Sequence, residues 1–416
     1  MYFVFVSNYI NHHQKPFCDA MCKLVEERTE LPNQFVFIET CAMEEERKAL
    51  GWQEELPEYV LRAYESEYNR SVALTLMRES SIVMLGQCEM PELVWERLRN
   101  ADEDRITFEN TERIYKTGQY KAISPRGLWA KFQRYTKFRK QAYYLLCAGG
   151  YVASDFRIVK AFQGKMYKWG YFPQFTEYDV DKLLENKGYV TADGKIPYLL
   201  WVGRFIDWKH TELAIDTAGW LKNRGLQFHM DIVGGGELED YLRKQVEYRE
   251  LTDVITFTGP CNPVEVRAKM EKADILLFTS DRQEGWGVVA NEAMNSACVV
   301  VADNMIGAVP YLIQNGRNGC VYTDGRAYEL YVRTKALIEN VQLRKAIGKA
   351  AYETIADTWN AEVAARNLLK LSQILWDKNH SFCIKQVKPD PLLDIVGPAS
   401  VETACSEKEV GAKALR

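Results

Sequence analysis

Apolar residues fall along this chain in short unbroken runs, separated by longer segments in which they recur at helical spacing. An unbroken run bounded by polar residues reads as a strand buried on both faces, the kind that parallel sheets contain. Such runs occupy residues 2–7, 34–39, 82–86, 106–108 and 143–147, and again 197–202, 228–233, 254–257, 274–279 and 299–302. Between the earlier runs the pattern predicts helices from Pro16 to about Arg28, over 56–78, from Glu92 to Arg99 behind Pro91, and from about 125 to 143. The last starts at Ser124-Pro125, an N-cap followed by a proline in the first turn. Between the later runs, helices are expected over 210–223, from Glu237 to about Tyr248, from Pro263 and from Ala293, with three more over 326–340, 342–356 and 360–377. This β–α alternation implies parallel sheets with crossover helices, and it occurs twice.

A length of 416 residues also favours two domains over one core. The pattern divides them into a first over 1–173, a polar linker with Gly188 and Gly194 over 174–195, and a second over 196–378. The tail over 379–416, with Pro389, Pro391 and Pro398, lacks periodicity and is expected to be partly mobile. A net charge of −4 and a pI near 5.9 create no global basic field, which argues against a nucleic-acid partner. No apolar run approaches the length of a membrane span. Residues 1–6 lack a basic segment and a cleavage site, so they read as a first strand and the expected location is cytoplasmic. The 10 cysteines show no paired spacing, which favours reduced thiols over a disulfide framework or a zinc site.

Charge is uneven along the chain. From Arg113 to Ser154 there is no acidic residue, and nine cations from Arg113 to Lys140 are interleaved with Tyr115, Tyr120, Trp129, Phe132, Tyr135 and Phe138. Four readings stay open for 113–143: peripheral contact with an anionic membrane at the inner face of the plasma membrane, a groove for an anionic acceptor, nucleic acid, which the acidic whole weakens, or a solvated face over a packed aromatic stripe.

The most informative chemistry lies at Glu284-Gly285-Trp286-Gly287-Val288-Val289-Ala290-Asn291-Glu292, between the 274–279 strand and a helix start. A helix N-terminus gathers unpaired N–H groups and favours anions. Ionised carboxylates accept hydrogen bonds from paired hydroxyls. Were the stretch helical throughout, eight steps would hold the two carboxylates about 12 Å apart, the order of the sugar-to-ribose distance in a nucleotide-sugar. A diphosphate beside two carboxylates needs cations, and Gly203, Arg204 and Lys209 follow the strand over 197–202. Gly234-Gly235-Gly236 follows the next strand and Thr258-Gly259 the one after; either is compatible with a nucleotide border or with a tight turn. The loop after the first strand contains Asn8, His12 and His13 but no glycine, so a dinucleotide-binding fingerprint is absent there. The histidine pair reads as a ligand contact or as a surface feature. Two Asp-x-Asp triplets, Asp102-Glu103-Asp104 and Asp179-Val180-Asp181, do not end a strand and read as loop and cap residues rather than metal ligands.

The Glu-x7-Glu spacing with the upstream Gly-Arg…Lys resembles the GT-B glycosyltransferases, specifically glycosyltransferase family 4 (glycosyl transferases group 1), over about residues 197–377. The resemblance implies an α/β fold of two Rossmann-like domains facing a central cleft, with the acceptor on the first and a nucleotide-sugar donor on the second. It implies that Arg204 and Lys209 stabilise the leaving diphosphate, that Glu284 contacts the transferred sugar, and that Glu292 contacts the ribose. Gly203, Gly234, Gly235, Thr258, Gly285, Trp286, Gly287 and Val288 would line the donor, and Asn8, His12 and His13 the acceptor side. The activity implied is retaining transfer of a hexose to a glycan or lipid-linked acceptor, without metal or cofactor, in bacterial cell-surface polysaccharide synthesis. A GT-B nucleotide-sugar 2-epimerase and a non-catalytic nucleotide-sugar-binding protein are the alternatives. Two departures stand out: Ala297-Cys298 replaces the family's usual Gly and Pro, and Tyr311 replaces a common Glu.

Overall fold

The described residues divide into two units, one within 1–174 with 360–399 and one within 175–359. The computed structural model describes residues 2–27, 33–49, 56–102, 104–380 and 395–399. Glu103 and most of the tail lie outside them.

The first unit begins with β1 (Tyr2–Ser7), α1 (Lys15–Glu26), β2 (Gln34–Glu39), α2 (Glu45–Ala49), β3 (Val60–Arg62), α3 (Glu67–Glu79), β4 (Ile82–Leu85) and α4 (Pro91–Arg99). It continues with β5 (Ile106–Thr111), α5 (Pro125–Arg134), β6 (Tyr143–Ala148), α6 (Val152–Ile158) and β7 (Met166–Trp169). Its strands pair in parallel in the order β3-β2-β1-β4-β5-β6-β7. Val4, Val6, Val83, Leu85 and Leu145 from the strands meet Leu93, Leu98 and Phe156 from the helices in one core.

The second unit contains α7 (Val180–Asn186), β8 (Tyr189–Thr191), β9 (Gly194–Ile196), β10 (Tyr198–Val202), α8 (Thr211–Lys222), β11 (His229–Val233), α9 (Glu239–Tyr248), β12 (Ile255–Gly259) and α10 (Pro263–Lys272). It continues with β13 (Ile275–Phe278), α11 (Val289–Asn295), β14 (Val299–Asp303), α12 (Val309–Leu312), β15 (Cys320–Tyr322), α13 (Ala327–Glu339) and α14 (Val341–Asp357). The sheet order is β12-β11-β10-β13-β14-β15, all parallel. The last helix, α15 (Ala361–His380), belongs to the first unit, where it packs on α1.

Several expectations are corrected. Residues 56–78 are not one helix. Val60–Arg62 pairs in parallel with β2, and the Ser66 side chain then accepts the Asn69 N–H to cap α3. The helix from Pro125 ends at Arg134 rather than near 143, because Thr136 and Phe138 turn inward and are buried. The segment read as a linker is folded into the second unit. Asp179 caps α7, Leu184 packs with Ala297 and Tyr352, and the buried Lys187 ammonium donates to the carbonyls of Met270 (3.1 Å) and Ala273 (2.7 Å), closing the C-terminal end of α10. Part of the tail is also anchored. Lys168 donates its N–H to Gly397 (2.9 Å) and Ala399 donates to Met166 (3.0 Å), with Ile395 and Val396 buried. This covers the β7 edge, whose groups would otherwise be unpaired. The described cysteines are all free thiols.

Candidate active site

In the second sheet the strand order reverses between β10 and β13, since β11 and β12 lie to one side and β14 and β15 to the other. Open parallel sheets bind ligands outside the strand C-termini at such a reversal. Lys209 follows β10 and Glu284 follows β13, and the Lys209 ammonium forms an ion pair with the Glu284 carboxylate. Both side chains are nearly buried, at 14% and 12% exposure, so the attraction is weakly screened.

Backbone contacts fix the loops that carry the pair. Thr279 Oγ1 donates to Lys209 O (2.8 Å) and accepts from Trp201 Nε1 (2.9 Å). Asp281 donates its N–H to Trp208 O (3.0 Å), and Glu284 donates its own to Asp281 O (3.1 Å). From below, Gly307 donates to Glu284 O (3.1 Å). Lysine carries three donors, and the pair with Glu284 uses one.

The glycines beside β10 form a backbone shelf. Gly203 donates to Val233 O (3.0 Å), Phe205 to Gly235 O (2.8 Å) and Gly234 to Gly259 O (3.0 Å). Gly234 holds φ +137°, and a Cβ there would sit 1.8 Å from Gly203 O, so no other residue fits. Gly235 lies against Pro260, and Thr258 is exposed on β12.

The remaining expected residues are less uniform. Arg204 is exposed and makes no ion pair among the described residues. Glu292 lies in the first turn of α11; burial pushes its carboxyl up, with the Arg267 guanidinium opposing. Because α11 starts only at Val289, residues 285–288 are not helical, and eight helical steps do not describe the Glu284–Glu292 path. Trp286 is fully buried, with Nε1 donating to Asn291 Oδ1 (2.9 Å) and the ring 5.6 Å from that of Trp359. Its indole is an anchor for the loop, which leaves only backbone at 286 to face a ligand. Gly285 is buried, Gly287 holds φ +92° against the Phe278 ring, and Val288 forms the N-cap position of α11.

Sequence reasoning missed a group of titratable side chains at the ends of β14 and β15. The Asp303 carboxyl is buried and accepts the Met305 N–H (2.8 Å). Burial pushes it up to about 7, the Met305 bond and His210 oppose this, and Asp324 and Asp281 add to it. A carboxyl raised on folding contributes stability below its unfolded value near 4, and that contribution is lost as pH rises through about 7. Asp303→Asn is therefore expected to stabilise the protein at pH 8 and to gain little at pH 5, measured by denaturant unfolding at both pH values.

The first unit's sheet reverses between β1 and β4, and the loop after β1 carries Asn8, His12 and His13. Asn8 O accepts from Thr40 N (2.8 Å), Ile10 donates its N–H to the buried Glu39 carboxylate (2.9 Å), and Asn11 Oδ1 accepts from His13 N (2.9 Å). The two imidazoles lie 3.7 Å apart. Burial lowers both, His12 to about 4, so they are neutral at pH 7. Of the aspartate triplets, Asp179 caps α7 and Asp102 accepts from Asp104 N (3.2 Å).

Residues 185–354 match the family model described as Glycosyl transferases group 1. The matched residues lie in the second unit, which is thus similar to the group 1 glycosyl transferases. A putative colanic acid biosynthesis glycosyltransferase, WcaL of Salmonella typhimurium, is 29% identical over 193 residues, covering 45% of this chain and 47% of the relative. The match thus spans about half the length of that curated relative. Among solved structures, a glycosyltransferase of Rickettsia africae aligns with a TM-score of 0.63 at 15% identity, over 90% of this chain and 98% of its own. Anabaena HepE in complex with UDP and glucose aligns at 0.61 and 15%, over 90% of this chain and 100% of its own. The fold of this chain is that of the GT-B glycosyltransferases.

Proposed function

We propose that this protein is a retaining glycosyltransferase that moves a hexose from a nucleotide diphosphate sugar to a glycan or lipid-linked acceptor in bacterial cell-surface polysaccharide synthesis. The observation that carries this reading is the Lys209–Glu284 pair at the strand-order reversal of the second sheet. In the reading, Lys209 and the exposed Arg204 side chain stabilise the negative charge that develops on the departing diphosphate, and Glu284 orients the sugar through its hydroxyls. The glycine shelf of Gly203, Gly234 and Gly235 brings backbone close to the nucleotide, Glu292 takes the ribose, and Asn8, His12 and His13 serve the acceptor. The cations do the work a metal would otherwise do, so turnover is metal-independent. A UDP-linked donor is supported by HepE, whose solved complex contains UDP and glucose. A polysaccharide setting is supported by the colanic acid relative. The test is a thermal-shift screen of UDP-, GDP- and ADP-hexoses, since a ligand of the folded state raises its melting point, followed by product anomer assignment by NMR. Loss of label from sugar C2 without acceptor would instead make the protein an epimerase, and no shift with any donor would remove the reading.

The setting includes an anionic membrane surface. Among the described helices none is long and apolar enough to cross a membrane. Of the basic segment, Arg134 is committed to Glu109 (2.7 Å), Lys116 to Glu112 (2.5 Å) and Arg113 to Asp155 (3.7 Å). Lys121, Arg126, Lys137, Arg139 and Lys140 remain exposed, beside Ile123 at 82% exposure, Trp129 at 62% and Phe132 at 42%. No residue of α5 is buried, so its aromatic stripe is not the packed one expected of a solvated helix. Cations gather acidic headgroups while the aromatics enter the interface. Replacing both Trp129 and Phe132 by Ser is expected to lower partition into vesicles containing phosphatidylserine by tenfold or more, on the order of the area term for burying such rings. Unchanged cosedimentation would dismiss the membrane contact.

A further inference from the structure

His210 follows Lys209 directly and holds φ +49°, a left-handed conformation that glycine adopts freely and side chains rarely. Its N–H donates to Asp207 O (3.2 Å) and its carbonyl accepts from Leu213 N (3.1 Å), so the residue closes the Lys209 turn and opens α8. Glycine would serve that turn without strain. Strained residues persist where surrounding structure holds them, and they cluster at functional sites. Here the side chain is half-buried and used on both nitrogens. Nδ1 lies 2.7 Å from Glu212 Oε1 on α8, and Nε2 lies 3.8 Å from Asp281 Oδ2 on the loop that carries Glu284.

We propose that His210, as imidazolium, is a positioning residue that latches the Lys209 turn to the Glu284 loop and so sets the geometry of that pair toward a nucleotide diphosphate. The inference rests on the donor-site reading of Lys209 and Glu284. It goes beyond that reading in making donor engagement depend on a third, titrating residue.

The groups that face the imidazole are all acidic. They are Glu212 on α8, Asp207 in the turn, Asp281 in the loop after β13, and Asp303 at the end of β14. Asp324, after β15, faces Asp303 and is itself paired with Arg282 (3.7 Å). The hydrogen bond to Glu212 raises His210 above its ordinary value, burial opposes this, and the charges of Glu212, Asp281 and Asp207 add to it. The latch is therefore closed at lower pH and opens as pH rises through that raised value.

The experiment compares donor kcat/KM against pH in the wild type, His210→Gly, His210→Asn and Asp303→Asn. Glycine suits the left-handed backbone, so His210→Gly keeps the turn and removes only the imidazole. The wild type is expected to lose about fivefold in kcat/KM as pH rises through the raised His210 value, the upper end of what a partly exposed ion pair is worth. His210→Gly should be lower by a similar factor at pH 6, mainly through KM, and flat above it, with no drop in melting temperature. His210→Asn should be flat in the same way, and Asp303→Asn should keep the wild-type limb. A His210→Gly profile that follows the wild type, or a limb that vanishes in Asp303→Asn, overturns the proposal. Should no nucleotide sugar be turned over, the transferase reading fails, and the latch is still read by NMR titration of His210. Asp281→Asn is expected to lower its midpoint, and an unmoved midpoint would refute the latch.

Discussion

Lys209→Ala and Glu284→Gln are each expected to retain about a thousandth of wild-type donor turnover, the scale seen when one preorganised charge partner of a transition state is removed. The two side chains are held in a single ion pair between separate loops, at the reversal of the sheet order. In the proposed donor site, removing the ammonium would delete the charge opposite the leaving diphosphate and also free the Glu284 carboxylate, which would then repel that diphosphate. Removing the carboxylate charge leaves the ammonium in place but no longer oriented. The losses should therefore not add. The double variant is expected to be within about tenfold of the weaker single, because each mutation already destroys what the other would. Unpairing a nearly buried ion also costs stability, about 1–3 kcal/mol, so turnover must be compared at a temperature where melting curves show all variants folded. Lys209→Arg keeps the charge but not the compact ammonium and is expected to recover only part of the rate. Near-wild-type turnover by both single variants would end the assignment of this pair.

The legibility of this molecule in its sequence follows the range of the forces involved. Strands buried on both faces, such as 82–85 and most of 299–303, announce themselves because 82–85 and 299–302 are apolar at every position. The three-residue strands at Val60–Arg62 and Cys320–Tyr322 do not, since so short a run carries no period and pairing alone makes it a strand. The helix over 361–380 is predictable from its spacing. That it joins the first unit is not, because periodicity reveals an apolar face without revealing which core the face meets. Lys209 and Glu284, which the structure pairs, were legible as candidates because loops after strands of a parallel sheet are where ligands bind. His210, Asp303 and Gly307 were not, since a left-handed φ and contacts between loops far apart in sequence leave no local pattern. Ala297 illustrates the limit: it holds φ +51° where the family resemblance expects glycine, so the bend persists although the residue that favours it is absent. The strain is on the order of 1 kcal/mol, which the surrounding core outweighs.

Gly307→Ala is expected to be strongly destabilising for a single-methyl change near the site. Gly307 does not need a left-handed φ, so the argument is one of space. A Cβ built there would lie 1.7 Å from Gly285 O and 2.6 Å from Gly285 C, both backbone atoms that cannot rotate away. The loop after β14 must move off the Glu284 loop, and the Gly307 N–H to Glu284 O bond (3.1 Å) and the Ala308 N–H to Trp286 O bond (3.0 Å) are the first to break. Overpacking combined with lost buried hydrogen bonds is expected to cost about 3 kcal/mol or more. For a unit of this size that lowers the melting point by about 6–12 °C. Gly259→Ala supplies the contrast. Gly259 holds φ +77°, yet no atom lies within 4 Å of its would-be Cβ, so strain alone should cost about 1 kcal/mol. If the two variants melt alike, the close approach of the β14 and Glu284 loops is not what shapes this site. If Gly307→Ala melts far lower and its folded fraction also turns over donor poorly, that backbone contact is what holds Glu284 against Lys209.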